Sequence, residues 1–413
     1  MYMFNPNMVP VRQQFNAQHI DNISEAAAKA LAAKGDWVHP GEKIAIAVGS
    51  RGVANIAKVT RAVCDFVRAK GAQPFIFPAM GSHGNATPEG QREVLAGYGV
   101  TEEAMGAPIV SSLKVERIPS ELPMPVYMDA HALAADGTVV INRIKPHTDF
   151  HGDYESGLMK MCVIGTGKHA QALAVHRYGA DGLRDYIPQI AREVLQKANV
   201  RLGIGLVENA YDQTMLLEAL TPEEIPTREP ELLKIARANM PRLPVDALDI
   251  LLIDQMGKDI SGVGIDTNII GRMGIPGQPE PAAPRIKRIT VSRLTPGAHG
   301  NAIGMGLADF CTQELMDGID WAATYENTVT STFLSRGNLP LVAKDEAQAF
   351  AWALRTIGTT QAHDARIIRI RDTLHLSEFW VSEALWHALA GGSIEQAGPA
   401  QPLLDEATGR YRG

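Results

Sequence analysis

Short apolar runs that end in glycine alternate with longer amphipathic segments along most of the chain. The run KIAIAVGS predicts a buried strand, IAKVTRAVCDFVRAKG predicts an amphipathic helix that ends at Gly71, and QPFIFPAMGSHG predicts the next strand and turn. A strand, a helix and a strand in this order form a βαβ unit with parallel strands. The pattern therefore predicts an α/β fold with mostly parallel sheets.

The same alternation continues along the rest of the chain. Helices are predicted over residues 20–34 and for PEGQREVLAGYG, YIPQIAREVLQKAN, FCTQELMDGI and SEFWVSEALWHALAGG. Strands are predicted around APIVSS, GTVVINRI, RLGIGLVEN, DILLIDQMG, RIKRITVSRL and ARIIRIRDT.

The pattern is interrupted at ANMPRLPVDALD, where two prolines lie within four residues. A chain of 413 residues is also too long for one ordinary core. We therefore expect an N-terminal α/β domain over residues 1–245 and a second α/β domain over residues 246–380. A C-terminal helix within residues 381–413 could pack back on the N-terminal domain, and a cofactor and substrate cleft is expected between the two domains.

Composition and charge exclude several classes of protein. The chain is 45% hydrophobic and 21% charged, with a formal net charge of −7, which argues against a nucleic-acid partner or an acidic membrane surface. No apolar run is long enough for a membrane span, and the first residues do not resemble a secretory signal. The three widely spaced cysteines favour reduced core thiols in a cytoplasmic protein.

Several candidate functional residues lie just past predicted strands. Arg51, His83, His147 and Lys258 each occupy such a position. In parallel sheets, ligands bind beyond the carboxyl ends of the strands, so these side chains could converge on one cleft.

Histidines are concentrated in one part of the chain. Four of the 12 lie within 30 residues, namely His147, His151, His169 and His176. Imidazole ligates borderline metals and titrates near neutrality, so the cluster indicates metal binding or proton transfer, although a solvated helix face is an alternative. The first pair follows Pro146 without an intervening glutamate, which favours a loop over a zinc-protease helix. The second pair, seven residues apart, should share one helix face.

Two nucleotide-binding motifs fit the chain poorly. The loop GSRGVAN could present backbone N–H groups to a phosphate, but it lacks the lysine of a P-loop. Neither predicted domain contains G-x-G-x-x-G followed by an acidic residue, which disfavours an ordinary NAD-dependent oxidoreductase.

The order of these motifs resembles the nickel-dependent lactate racemase family. The matching positions, in chain order, are Ser50 and Arg51 in a loop, His83 in GSHG, His147 in KPH, Lys160 in SGLMK, and His176. Residues GKDISGVGIDTNIIGRMG continue the resemblance into the second domain. The run before Lys160 is three residues longer than in the best-known members, and His176 shifts by the same three residues.

The resemblance implies roles for these residues. Lys160 would carry a nickel pincer nucleotide (nickel-pyridinium dithiocarboxylic acid mononucleotide), with Ser50 near its phosphate, and His176 would be the protein ligand of the nickel. His83 and His147 would be the acid/base pair, and Arg51 would bind the substrate carboxylate. Either Lys258 or Arg272 would be the basic residue of the second domain that contacts cofactor or substrate.

The function implied is racemisation or epimerisation of a small 2-hydroxy acid by removal and return of a hydride. Enzymes of cofactor biosynthesis would be transient partners, recombinant protein could lack the cofactor, and the oligomeric state stays open. A 2-hydroxy-acid oxidoreductase and a non-catalytic nickel- or nucleotide-binding protein are the alternatives.

Overall fold

The computed structural model describes residues 4–49, 52–81, 83–389, 392 and 394–412. The chain divides into two compact units, one formed by Asn16–Met240 and the other by Met1–Phe15 with Pro241–Gly413. Each unit contains a sheet with parallel strands and several helices, as the sequence pattern predicts. Among the described residues, no helix combines the length and hydrophobicity that a membrane crossing requires.

The strands are β1 Asn7–Gln13, β2 Lys43–Val48, β3 Gln73–Pro78, β4 Val115–Ile118, β5 Val126–Asp129, β6 Gly137–Arg143, β7 Val200–Glu208, β8 Thr214–Leu220, β9 Ala247–Met256, β10 Arg285–Leu294, β11 Phe310–Thr312, β12 Leu341–Ala343, β13 Ile367–Ile370, β14 Glu378–Ser382, β15 Ile394–Gln396 and β16 Gln401–Pro402.

The helices are α1 Ile23–Ala32, α2 Ile56–Ala69, α3 Pro88–Gly97, α4 Glu102–Met105, α5 Ala130–Leu133, α6 Leu158–Lys160, α7 Lys168–His176, α8 Gly179–Lys197, α9 Ile225–Asn239, α10 Thr267–Ile270, α11 Gln313–Asp317, α12 Trp321–Ser331, α13 Glu346–Thr356 and α14 Glu383–Leu389. A π-helical turn, Met161–Gly165, continues from α6.

The sheet of the Asn16–Met240 unit has the order β3-β2-β6-β7-β8. β2 pairs in parallel with β3 and β6, and β6 pairs in parallel with β7, whereas β8 is antiparallel to β7. All residues of β2 except Lys43 are buried, as expected for a central parallel strand that is covered on both faces. The apolar face of α2, which includes Val59, Val63 and Val67, packs into the same core.

Helix starts in this unit follow local sequence signals. The Asn22 side chain accepts the backbone N–H of Glu25 at the start of α1, at 3.2 Å. The Thr87 hydroxyl accepts the N–H of Gly90 at 3.1 Å, and Pro88 occupies the first turn of α3. Both residue pairs are typical N-terminal signals because they satisfy N–H groups that have no partner within the helix.

The sheet of the other unit has the order β12-β11-β10-β9-β13-β14-β1-β15, with β16 also paired to β1. Pairing is parallel from β12 to β13 and antiparallel from β13 to β15. The N-terminal strand β1 therefore belongs to the sheet of the C-terminal half. Local sequence patterns do not reveal such pairing, because β1 and its neighbour β14 lie at opposite ends of the chain.

Two segments predicted as helices begin as strands. FCTQELMDGI forms the strand β11 before the short helix α11, and SEFWVSEALWHALAGG forms the strand β14 before α14. The aromatic and β-branched residues Phe379, Trp380 and Val381 suit a strand that pairs on both sides. APIVSS, predicted as a strand, makes only an isolated bridge between Ile109 and Ile76.

The cysteines behave as predicted. Cys64, Cys162 and Cys311 are free thiols, and all three are buried. Burial raises the pKa of each thiol, to about 12 for Cys64 and about 11 for Cys311. They are therefore core residues and poor nucleophiles near neutral pH.

A buried ion pair stabilises the C-terminal sheet. Arg369 on β13 donates two hydrogen bonds to the Asp254 carboxylate on β9, at 2.8 and 2.9 Å, and both side chains are 7% exposed. The guanidinium also lies 4.6 Å from the Trp380 ring and 5.1 Å from the Tyr411 ring.

We predict that Asp254→Asn lowers the free energy of unfolding by about 3 kcal/mol, because it leaves a buried guanidinium without its counter-charge. Urea denaturation measures the change. The matched control is Glu378→Gln, which removes the exposed Arg12 pair and should cost less than about 1 kcal/mol. Equal decreases in the free energy of unfolding of the two variants would contradict a stabilising role of the buried Asp254–Arg369 pair.

Candidate active site in the Asn16–Met240 unit

The parallel strands of this unit end at one edge of the sheet, where the following turns meet the helical segment that runs from α6 into α7. Gly49, which follows β2, lies so close to this segment that a Cβ at this position would be 3.4 Å from Met161 Cε. A Cβ on Gly81, which follows β3, would lie 3.4 Å from Ala172 Cβ. The turns after β2 and β3 thus pack against the segment that carries Lys160 and His176.

The first two candidate residues, Ser50 and Arg51, lie outside the described residues. The described chain resumes at Gly52, and the Ala54 backbone N–H donates to the Glu208 carboxylate at 2.7 Å. Glu208 also pairs with Arg143 at the end of β6. These contacts hold Ala54 beside the end of β6.

His83 lies directly before a 3₁₀ turn, Gly84–Ala86. The fully buried Gln91 donates its side-chain amide to the carbonyls of Met80 and Gly81, at 3.2 Å each, and to that of His83 at 3.4 Å. Gln91 therefore fixes the backbone of this turn. Gln91 lies on the buried face of α3 together with Leu95, and its role was not predicted from the sequence.

His147 is almost buried, at 5% exposure, and its ring contacts are specific. The Asp149 backbone N–H donates to Nδ1 at 3.0 Å, and the Lys160 Nζ lies 2.5 Å from Nε2. The Phe150 ring packs against the imidazole with the ring centroids 4.5 Å apart. The prediction that His147 lies on a loop is confirmed, and two candidate residues that are 13 positions apart are in contact.

The His147 loop is organised around the buried carboxylate of Glu155. This carboxylate accepts the backbone N–H of His147 at 2.6 Å and that of Gly152 at 3.2 Å. Its counter-charge is Arg237 on α9, at 2.6 Å. Backbone hydrogen bonds between Lys145 and Ser156 close the base of the loop.

His151, the other member of the first histidine pair, also faces this carboxylate. Its Nδ1 lies 3.3 Å from both oxygens of Glu155. The residue is therefore part of the loop scaffold, and its side chain is 41% exposed.

Helix α9 supports the segment that carries Lys160 at further points. The Tyr154 hydroxyl donates to the Pro226 carbonyl at 2.6 Å. The buried carboxylate of Glu229 accepts the backbone N–H of Met159 at 2.9 Å. A Cβ on Gly157 would lie 2.2 Å from Glu229 Oε1, so only glycine permits this approach. Glu229 thus caps the helical segment one residue before Lys160.

His176 ends α7 and is largely enclosed. Its Nδ1 is buried and has no hydrogen-bond partner among the described residues. Burial lowers the pKa of His176, a positive charge on Lys160 lowers it further, and Asp149 raises it. The same electrostatic interactions place Lys160 and Asp149 in its neighbourhood. The prediction that His169 and His176 share a helix is confirmed, since both lie on α7.

A second lysine in this region has a different environment. Lys168 is fully buried, forms an ion pair with Asp129 at 3.1 Å and donates to the Pro78 carbonyl at 2.8 Å. Burial lowers its pKa, although Asp129 opposes this effect. Lys168 therefore has a structural role, whereas Lys160 is partly exposed and faces His147.

The two candidates of the second domain lie in the other compact unit. Lys258 follows β9, and its Nζ lies 2.5 Å from the Asn327 side-chain oxygen. Arg272 donates to the Leu307 carbonyl at 2.9 Å and pairs with Asp309 at 3.1 Å. Both side chains therefore make hydrogen bonds within their own unit.

Within the described ranges, no group of three or more histidine, cysteine or acidic side chains is arranged to hold a metal ion. The described side chains alone therefore do not form a conventional metal site. A single histidine such as His176 could still complete the coordination of a metal whose other ligands come from a cofactor.

Comparisons with known proteins support the fold. No protein-family profile and no curated protein matches the sequence. The structure of the lactate racemase apoprotein from Thermoanaerobacterium thermosaccharolyticum is similar, with a TM-score of 0.56 and 17% sequence identity. The match covers 91% of this chain and 99% of that chain. The chain therefore shares the α/β fold of that apoprotein.

The Glu229 cap generates a prediction on pH and stability. Burial raises the pKa of the Glu229 carboxyl from 4.5 to about 7, against the opposing effect of the Met159 N–H. A raised folded-state pKa gives a stabilisation that is complete below the unfolded pKa and is lost as the pH rises through the folded pKa. The wild type should therefore lose up to about 3 kcal/mol relative to Glu229→Gln between pH 4 and pH 8.

Urea denaturation at several pH values measures this difference. Glu231→Gln on the same helix is the control, because Glu231 is exposed and pairs with Lys234. A constant stability difference between wild type and Glu229→Gln across the range would contradict the burial argument.

Proposed function

We propose that this protein racemises or epimerises a small 2-hydroxy acid with the help of a nickel pincer nucleotide. The observation that carries the proposal is the proximity of His147, Lys160 and His176 in a chain that shares the fold of a lactate racemase apoprotein. These three residues were selected from the order of sequence motifs, and the segment between Lys160 and His176 contacts the turns after β2 and β3 through Met161 and Ala172.

The described residues fit the cofactor in two respects. His176 offers a buried ring nitrogen that has no hydrogen-bond partner within the described part of the chain, and its lowered pKa favours the neutral form that a metal requires. Lys160 is partly exposed and could carry a covalent bond, whereas the buried, ion-paired Lys168 could not. Ser50 and Lys258 are proposed to contact the cofactor, and enzymes of cofactor biosynthesis would load it.

The reaction needs an acceptor for the hydrogen on C2 of the substrate, because direct proton abstraction from this carbon faces a high barrier. When bound, the nickel pincer nucleotide supplies that acceptor. The protein must move the hydroxyl proton in the same step, which a histidine can do near neutral pH. His147 has the position for this, since its Nε2 faces Lys160.

Two proton-transferring residues are needed because mirror-image substrates direct their hydroxyl groups to opposite sides. We assign the second role to His83, in the turn that Gln91 fixes. Arg51 would hold the substrate carboxylate through two hydrogen bonds, so that only the reacting carbon reorients.

Racemisation itself is the first test. Protein co-expressed with the cofactor's biosynthetic enzymes should convert single enantiomers of 2-hydroxy acids into mixtures, as measured by chiral chromatography. In D₂O the product should retain its original C2 hydrogen, because the hydride is returned. Steady accumulation of a 2-keto acid would instead indicate an oxidoreductase, and bound nickel without turnover would indicate a binding protein.

The acid/base assignment gives a second prediction. His147→Gln and His83→Gln should each lower the racemisation rate by about 10²–10⁴-fold, since a proton transfer is lost. Nickel content and cofactor mass should stay near wild type. His39→Gln, an exposed histidine in the same unit, is the control. Parallel loss of cofactor in either site variant would contradict its acid/base role.

A further inference from the structure

The orientation of the His147 ring raises a question about its proton. Nδ1 accepts the backbone N–H of Asp149 at 3.0 Å, so Nδ1 carries a lone pair in this arrangement. The hydrogen of the neutral imidazole is then on Nε2, and the Lys160 Nζ, 2.5 Å away, accepts it as a neutral amine. A ring in this tautomer cannot take up a proton at Nε2.

Proton transfer at Nε2 requires the other arrangement, in which Nδ1 carries a hydrogen. Protonation makes both ring nitrogens donors, and the Asp149 backbone N–H can no longer face Nδ1 favourably. An acceptor must therefore lie near Nδ1. The Asp149 carboxylate is placed for this role, since its Oδ2 lies 3.8 Å from Nδ1 and its side chain is only 14% exposed.

We propose that Asp149 is the positioning residue of His147. Its backbone N–H holds the resting neutral ring, and its carboxylate accepts the Nδ1 hydrogen when the ring is protonated. When Nε2 passes its proton to the substrate oxygen, the remaining hydrogen stays on Nδ1 and is paired with Asp149. The catalytic role of Asp149 rests on the proposed function, whereas its interaction with the His147 ring does not.

The charges around the ring support Asp149 in this role. Lys160 and His176 are basic groups from α6 and α7, and a positive charge on either opposes protonation of the ring. The Glu155 carboxylate contacts the His147 backbone, but Arg237 from α9 neutralises it.

The position of Asp149 is defined by its neighbours. The Thr148 hydroxyl donates to Asp149 Oδ1 at 3.2 Å. The Glu155 contacts to the N–H groups of His147 and Gly152 define the turn in which Asp149 lies. Oδ2 lies 3.8 Å from Nδ1, so it must move closer to the ring to accept the Nδ1 hydrogen.

Histidine ¹⁵N NMR on the full-length protein without cofactor tests this directly. The two ring nitrogens report the tautomer and the pKa of His147, whose signals are identified by their loss in His147→Gln. In wild type, the neutral ring should carry its hydrogen on Nε2. Asp149→Asn should keep this tautomer, since the backbone N–H is retained, but lower the pKa of His147 by about one unit or more.

Two further variants make the result specific. Asp153→Asn removes an exposed carboxylate from the same loop and should leave the His147 titration unchanged. Asp149→Glu should restore part of the shift, and unchanged signals from the other histidines show that the variants are folded. A His147 titration in Asp149→Asn identical to wild type would overturn the proposal, as would an Nδ1–H tautomer in the resting wild type.

Steady-state kinetics on protein that carries the cofactor distinguish a failure of this inference from a failure of the proposed function. Asp149→Asn should lower kcat by about 10–10²-fold with little change in KM, and the acidic limb of the pH profile should move to lower pH. A wild-type enzyme that does not racemise any 2-hydroxy acid, with the NMR shift still present, would contradict the function and leave the Asp149–His147 pair intact. An unchanged kcat in an active Asp149→Asn enzyme would overturn the catalytic role of Asp149.

Discussion

The candidate site depends on one buried negative charge, the carboxylate of Glu155. A buried carboxylate is costly unless it is paired and hydrogen-bonded, and this one is satisfied by Arg237 and by the N–H groups of His147 and Gly152. The loop after β6 folds around it, and that folding brings the Asp149 N–H to the His147 ring. The placement of the ring is thus a consequence of satisfying a buried charge.

The sheet edge and helix α9 hold this arrangement from two directions. The parallel strands bring the turns after β2 and β3 against the segment between Lys160 and His176, where glycines allow close backbone approach. From the other direction, α9 provides Arg237 for the loop and Glu229 for the start of the Lys160 segment. Rigid elements thus position Lys160 and His147, which suits chemistry that needs fixed geometry.

Local periodicity predicted most elements of the fold, because β2, α2 and α8 have clear apolar patterns of their own. Local periodicity failed where a strand runs directly into a helix, as at Phe310–Thr312 and Glu378–Ser382. The helical spacing of the residues that follow each strand made the whole segment resemble a helix. The supporting residues Glu229 and Arg237 were not predicted. Their partners are 70 and 82 positions away, so no local signal connects them. The order of motifs selected His147, Lys160 and His176 as candidates, and the comparison with a solved apoprotein supports the shared fold.

The central claim is that Lys160 carries a nickel-containing nucleotide beside His147. Intact-protein mass spectrometry with peptide mapping and nickel analysis tests it most directly, on protein co-expressed with the biosynthetic enzymes for that cofactor. We expect a nucleotide-sized mass increment on the Lys160 peptide, accompanied by nickel and absent from Lys160→Ala. An increment on another lysine such as Lys168, or no increment and no nickel beside a loaded positive control from the same host, would contradict it.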